Sequence, residues 1–563
     1  MEIKGSDYIV EFLINKEITD VFGYPGGMVT HLMDSFYKYR EKIKAHLNYH
    51  EQGAAFAACG YAQVSNKPGV AYATSGPGAT NLITGIANAY FDSIPTIFIT
   101  GQVNTFEART GNLRQKGFQE TDILEIVRPI VKKAFYVSVA ESLPQVLEEA
   151  YRTCMEGRRG PVVLDVPMDV QRTMIECVKF DDNSLKTNRK PLINDIQDII
   201  NNSKRPVLLL GNGMHSVNRD MINTFIKGMG IPVVTSMVAV DLIEKNNVLN
   251  YGFLGAYGSR IANFITAKAD LIISLGSRLD IRQVGANTAN FATNAKLIRF
   301  DEDITEFERK VKKDEIDIQC DIEDAMTYIS RYKIKSSKIE EWIRVCDKIK
   351  ETLIGSDDGT YNKVISNLSQ TIDDGRVITT DVGQNQVWVA QSFMNKENQR
   401  ILFSGGHGAM GYSLPAAIGA YYATKKPVVS FNGDGGIQMN IQELQFIARE
   451  KIPVKIIIMN NSSLGMIRHF QEMYFDSVYF QTVENDGYLN PDFSEIAKAY
   501  GIRYFEYKDN EFDAEIVNDN LPCIIEIKLS PNTHVFPKLA MGKMNQDQDP
   551  LLDREIYEML MRL

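Results

Sequence analysis

The sequence has no run of about 18 uninterrupted apolar residues, so no membrane-spanning helix is expected. It has no excess of positive charge. Against 71 Asp and Glu stand 61 Lys and Arg, a net charge of −10. This argues against a generic binder of nucleic acid or anionic membrane, although a local basic site for phosphate stays open. The six cysteines, Cys59, Cys154, Cys177, Cys320, Cys346 and Cys523, form no CxxC pair and no Cys/His ligand spacing. Structural zinc is therefore not expected, and free thiols in a reducing compartment, the cytoplasm, are. The start, MEIKGSDYIVEFL, lacks a basic segment ahead of an apolar core, so no signal peptide is expected. Short-period repeats and low-complexity tracts are also missing.

What is present is a long globular composition. A chain of 563 residues, 44% hydrophobic and 23% charged, has room for roughly three or four domains with large cores. Up to about residue 180, helices alternate with short apolar strands. Asp7–Asn15 has helical spacing and Ser142–Met155 is amphipathic. Val21–Gly23, Gly69–Ala73, Thr96–Thr100 and Pro161–Val166 are strand-like. This alternation predicts a doubly wound parallel sheet. Polar Lys179–Lys190 reads as a linker. A second α/β block runs from 191 to 335, with strands Pro206–Leu210 before GNGM, Asp270–Leu275 before GSR, and Ala295–Phe300 before DED. Charged Arg331–Glu351 reads as a solvated helical connector. A third α/β block spans 352–530, and the tail, 531–563, is irregular and then helical over Arg554–Leu563.

The densest chemistry lies in Pro427–Met466. The apolar run Val428–Phe431 enters Asn432-Gly433-Asp434-Gly435-Gly436. A helical segment, Asn440–Glu450, follows, and then a second apolar run, Val454–Met459, ending at Asn460-Asn461. This is a βαβ unit with polar groups at the carboxyl ends of both strands, where open α/β sheets bind ligands. The glycines admit close backbone approach and can turn N–H groups towards a phosphate. Asp434 and Asn461 offer hard oxygen donors, and Mg²⁺ combines a few such donors with diphosphate oxygens. The residues point to a metal-bridged diphosphate site.

GDG at 433–435 followed by NN at 460–461 resembles the signature of thiamine-diphosphate (ThDP) enzymes. It occurs together with VFGYPGG (21–27), HEQGAAFAACGYA (50–62), TSGPGATN (74–81), DSIPTIFITGQV (92–103), FQE (118–120) and GHGAMGYSLPAAIGA (406–420). Taken together these look like the acetolactate synthase group. The resemblance implies three doubly wound α/β domains: pyrimidine-binding (1–180), central FAD-binding type (191–335) and diphosphate-binding (352–530). It implies decarboxylation of pyruvate and transfer of the two-carbon unit to a second carbonyl compound. It also implies ThDP, Mg²⁺ and FAD, and a homodimer or homotetramer with each cofactor held between subunits. A regulatory subunit is left open.

In such enzymes a glutamate hydrogen-bonded to the aminopyrimidine sets the tautomer that takes the proton from the thiazolium C2. Glu51 of HEQGAA matches it, and the small apolar GAAFAA neighbours suit an acid that must donate to a ring nitrogen. Phe118 and Gln119 of FQE would meet the substrates, Gln119 positioning the acceptor or polarising its carbonyl. Gly26 and Gly27 fall at the cofactor. The Gly408 carbonyl and Met410 would lie under the aminopyrimidine, Met410 as the wedge that bends the cofactor. Gly383, Gln384 and Asn385 of DVGQNQVW fall where the family binds diphosphate, with Asn385 in place of the usual histidine. Gly435, Gly436 and Met466 would line diphosphate and thiazolium, while Asp434, Asn461 and the Ser463 carbonyl would hold Mg²⁺. In the central block Gly211, Gly213, Arg278 and Asp301 fall at flavin-binding loops, and Arg158 matches a flavin-contacting arginine. There the flavin is largely structural and does no redox work.

Three departures cluster where the second substrate should enter. The connection Asn104–Gly117 is longer than in the synthases and carries Arg109, Arg114 and Lys116. Phe470 replaces the tryptophan of many synthases, and Met168 replaces the lysine of the PKD motif. Arg282 matches the arginine associated with the second ketoacid. Two readings follow: drift within an acetolactate synthase, or an acceptor that is a nucleotide-linked ketosugar. A pyruvate decarboxylase would carry adjacent histidines, which the seven here do not provide, and pyruvate oxidase fits the HEQGAA and FQE pair less well. A non-catalytic relative would show damage at Glu51, Asp434 or Asn461, all of which are intact.

Overall fold

The computed structural model describes residues 2–178, 180, 196–332, 336–357, 359–508 and 512–563. The expected linker Lys179–Lys190 lies, but for Phe180, outside the described residues. Three six-stranded sheets, each parallel throughout, carry the chain. Their central strands, such as Gly69–Ala73, Leu271–Leu275 and Val454–Asn460, are buried along their whole length. That is why they read as continuous apolar runs and not as alternation: helices cover both faces of a parallel sheet.

The first sheet uses Asp20–Gly23, Lys44–Leu47, Gly69–Ala73, Thr96–Gln102, Lys133–Tyr136 and Val162–Pro167. Counted along the chain, its spatial order is 2-1-3-4-6-5. The third sheet uses Val377–Thr380, Arg400–Leu402, Val428–Gly433, Val454–Asn460, Arg503–Glu506 and Cys523–Lys528, in the same order. The two outer domains therefore share one topology, a relationship the sequence did not establish. The central sheet, from Pro206–Leu210 to Ile316–Gln319, has the order 3-2-1-4-5-6 of dinucleotide-binding folds.

The outer domains are joined by two helices rich in small residues, Glu51–Ser65 and Ser413–Thr424. A Cβ added at Gly60 would stand 2.1 Å from the Ala416 carbonyl oxygen, and one at Gly419 would stand 1.8 Å from that of Ala57. Only glycine lets the backbones approach so closely. The contacts are reciprocal, so the helices meet across an approximate twofold axis and place both glycine-rich motifs on one core.

The segment expected as a solvated connector is helical over Ser336–Leu353, but one face is not solvated. Ile339, Trp342, Cys346, Ile349 and Leu353 are buried against the central domain. Their i, i+3, i+4 spacing is an apolar stripe that the abundant charges of the other face obscured. The tail helix, Arg554–Arg562, is where it was expected.

Candidate active site

Glu51 opens its helix after His50, whose Nδ1 accepts the Gln52 N–H at 3.1 Å. The Glu51 carboxylate is 8% exposed. Its Oε2 accepts from the Asn81 side-chain amide at 2.9 Å, and Oε1 has no hydrogen-bond partner among the described residues. A Cβ at Gly78 would lie 3.1 Å from that Oε1. Gln119 meets the same loop from the other side, where a Cβ at Gly76 would stand 2.9 Å from its carbonyl oxygen. Gln119 has φ +61°, the left-handed region that non-glycine residues rarely occupy. Gly26 packs on Thr74, and Thr74 Oγ1 accepts the Met28 N–H at 3.1 Å, while Gly27 faces open space. YPGG, HEQ, TSGPGATN and FQE thus converge around residues 74–81. Phe118 is 79% exposed.

The third domain gathers its own set. Burial pushes the Asp434 carboxyl up to about 6, opposed by the hydrogen bond that Tyr488 donates to Oδ2 at 2.8 Å. Asn461 donates to Gln384 Oε1 at 3.0 Å and Thr533 Oγ1 at 2.8 Å, and its Oδ1 accepts the Ser463 N–H at 3.2 Å. A Cβ at Gly435 would meet Leu464, Tyr488 and, at 3.6 Å, Met410 Cε. Met410 and the glycine-rich segment 433–436 are therefore neighbours. Gly408 has φ +69° and open space where a side chain would stand. Gly383, with φ +146°, precedes the helix Gln384–Ser392. The Gln384 and Asn385 amides are turned inward, donating to the carbonyls of Thr533 and Asp381.

Four residues of these sites escaped the sequence reading. Asn81 lies inside a quoted motif but far from Glu51 in sequence. Asp381 is wholly buried, its carboxylate accepting the Gly411 and Val382 N–H groups; a Cβ at Gly436 would stand 2.8 Å from Oδ2. Burial pushes it up to about 7. Tyr488 and Thr533 arrive from distant segments that carry no recognisable signal.

A cavity of about 390 Å³ opens at the carboxyl ends of the central strands. Gly213, Ser236, Leu254, Gly276, Asp301 and Asp321 line it, one beyond or at the end of each strand. Gly211 supports it from beneath, where a Cβ would strike the Gly276 carbonyl oxygen at 2.1 Å. Arg158, Arg278 and Arg282 are also in its wall. Arg158 donates to Ser93 Oγ at 2.8 Å and pairs with Asp303 and Glu306, tying the first domain to the second. A strand-end cavity on a sheet of this order, with arginines in its wall, suits a dinucleotide. On the far side Tyr257 lies in the field of both Arg282 and Tyr474, and the Tyr474 ring sits 4.6 Å from Phe470. His469 and His534, distant in sequence, come together with ring centroids 4.7 Å apart, and Glu472 holds His534 at 2.7 Å.

Comparison with known proteins matches this architecture domain by domain. Residues 3–126 match the thiamine pyrophosphate enzyme N-terminal TPP binding domain, 193–329 the central domain, and 381–527 the C-terminal TPP binding domain. The acetolactate synthase large subunit of Lactococcus lactis is 35% identical over 96% of this chain and 94% of its own length. Acetolactate synthase isozyme 1 large subunit of Escherichia coli is 35% identical over 96% and 97%. The chain belongs to the acetolactate synthase family of thiamine-diphosphate enzymes. Such synthases work with ThDP, Mg²⁺ and FAD, and the residues present fit all three. One carboxylate with amide and carbonyl oxygens suits Mg²⁺ on a diphosphate. The glycine loops beside Met410 suit ThDP, and the strand-end cavity suits FAD. Among the described residues no helix is long and apolar enough to cross a membrane.

The loop Asn104–Gly117 has its own internal support. Glu120 accepts the backbone N–H of Lys116 at 2.8 Å and of Gly117 at 3.1 Å, and also that of Arg109. Asp169, beside Met168, accepts the Thr105 N–H at the base of the loop.

Proposed function

We propose that the chain decarboxylates pyruvate and joins the two-carbon unit to a second 2-ketoacid, as an acetolactate synthase does. The observation that supports this most is Glu51, with Oε2 held by Asn81 and Oε1 unengaged beside Gly78. An acid fixed this way is prepared to hold and return a proton on a ring nitrogen. Bound ThDP supplies a carbon nucleophile and an electron sink for decarboxylation. Asp434, Asn461 and the Ser463 carbonyl would hold the metal that anchors the diphosphate, and Met410 would pack against the cofactor as the wedge. Gln119 orients the acceptor carbonyl, and Arg282 takes its carboxylate. Flavin in the central cavity would be structural, held by Arg158, Arg278, Gly213 and Asp301, which line it.

In this reading the site is completed by a second copy of the chain. Supporting it, Ile467, Phe470, Phe475, Val478 and Phe480 are exposed in one segment just past the metal loop, a patch that monomers seldom leave uncovered. The domain limits at about 180, 191–335 and 352–530 belong to the same reading.

A second acceptor, a nucleotide-linked ketosugar, is favoured by the 104–117 loop. Arg114 has no ion-pair partner among the described residues, and Phe106, within the loop, and Phe118, directly after it, are exposed. Incubation with pyruvate, ThDP and Mg²⁺, with and without candidate ketosugars, decides. Rapid acetolactate formation from pyruvate alone supports the synthase. CO₂ release that requires the sugar nucleotide contradicts it.

A further inference from the structure

A short segment, Asn88–Ser93, at the end of the helix Ile83–Phe91, borders both the flavin cavity and the ThDP loop. It grips the stretch 404–409 that leads to Gly408 and Met410. Asp92 Oδ2 accepts the Gly405 N–H at 3.0 Å, and Oδ1 accepts the Gly406 N–H at 2.6 Å. Asn88 Oδ1 accepts from Ser404 Oγ at 2.6 Å, and Ser404 Oγ accepts the Ala409 N–H at 3.0 Å. The Phe91 ring stacks on His407 at 5.6 Å with planes 8° apart.

The opposite side of the segment belongs to the central domain's cavity. Phe91, Asp92 and Ser93 line it together with Gly405 and Gly406. There the Asn212 amide of the glycine turn donates to the Asp92 carbonyl at 3.3 Å, and Arg278 donates to the Phe91 carbonyl at 3.4 Å. Burial pushes the Asp92 carboxyl up to about 6, with the Gly405 and Gly406 N–H groups and Arg278 opposing it. A buried carboxylate holding two backbone N–H groups fixes a loop far more firmly than a neutral side chain would.

We propose that Asp92 is a positioning residue for the ThDP loop and that it makes occupancy of the flavin cavity and of the ThDP site mutually reinforcing. The proposal rests on the reading of the cavity as an FAD site and of 404–411 as a ThDP loop. A ligand that orders Asn212, Arg278 and Phe91–Asp92 from the cavity side also orders Gly405–Met410. The second ligand then meets less conformational entropy loss. The coupling is reciprocal: each ligand tightens the other by the same factor. This gives a flavin without redox work a reason to be held against the reacting domain.

The test uses the full chain stripped of both cofactors. FAD is titrated by quenching of its fluorescence, with and without ThDP and Mg²⁺. ThDP with Mg²⁺ is titrated by near-ultraviolet circular dichroism, with and without FAD. The wild-type chain should show equal mutual tightening, on the order of fivefold or more. Asp92→Asn should still bind FAD, but with the factor reduced towards one. Asn212→Ala removes the cavity-side contact to Asp92, together with the Asn212 Oδ1 contact to His215, and should weaken the coupling even if Asp92→Asn does not fold. Independent binding of the two ligands by the wild-type chain overturns the proposal and leaves both site readings standing. Undiminished coupling in either variant that folds also overturns it. Failure of FAD or ThDP to bind the wild-type chain overturns the corresponding site reading and the proposal with it.

Discussion

Glu443 of the third domain holds Asn48 of the first: its Oε2 accepts from the Asn48 side-chain amide at 2.9 Å. Its Oε1 accepts the Tyr49 N–H at 3.0 Å. Two residues further on the chain reaches Glu51. A Cβ at Gly53 would stand 2.4 Å from the same carboxylate. One buried acid thus sets where the helix that carries Glu51 begins.

Glu443→Gln tests this anchor through pH. Burial pushes the Glu443 carboxyl up to about 7 from an ordinary 4.5, against the hydrogen bonds of Asn48 and Tyr49. A raised carboxyl stabilises the fold fully below 4.5 and loses that contribution as pH rises through 7. The wild-type advantage over Glu443→Gln should therefore shrink by about 3 kcal/mol between those pH values. Denaturant midpoints across the range read it, and a pH-independent difference would contradict the assignment.

Gly419→Ala should be strongly destabilising. The added methyl would lie 1.8 Å from the Ala57 carbonyl oxygen, so the two helices must separate. Overpacking of this kind costs roughly 1–3 kcal/mol or more. Gly228→Ala, which meets nothing within 4 Å, serves as the control, and thermal unfolding compares the two.

Thr533→Val should weaken the proposed metal site while leaving the proposed ligands Asp434, Asn461 and Ser463 unchanged. The Thr533 hydroxyl accepts from Asn461 at 2.8 Å and donates to Gln384 at 2.6 Å. Loss of such an outer partner lowers metal affinity by about 10- to 100-fold. Titrating Mg²⁺ in the presence of ThDP by calorimetry measures it, and an unchanged affinity would remove Thr533 from the account.

Glu120→Ala should release the loop over 109–117, whose backbone N–H groups it collects. If the loop serves the acceptor, KM for the second substrate should rise while single-turnover decarboxylation of pyruvate keeps its rate. Equal losses in both steps would place the loop's role elsewhere.

Much of this was legible from local chemistry. Buried parallel strands announce themselves as apolar runs, so Gly69–Ala73 and Pro206–Leu210 carry the predicted limits. The glycine motifs did likewise, because close backbone approach leaves few residue choices. What stayed hidden depends on folding. Asn81 and Glu51, Asp92 and Gly405, and Thr533 and Asn461 are joined only in space, and each is an ordinary polar residue in its own segment. The helix Ser336–Leu353 misled for another reason: its charges outnumber the apolar stripe that carries its packing. The shared topology of the outer sheets had no sequence signal beyond the two small-residue helices.

The central claim is that Glu51 governs proton removal from the cofactor, and the most direct measurement is hydrogen–deuterium exchange at C2 of bound ThDP. It is followed by NMR after acid quench in the wild-type chain and in Glu51→Gln. With cofactor binding and circular dichroism preserved, the variant should exchange about 10²- to 10⁴-fold more slowly. Exchange at the wild-type rate would contradict the account.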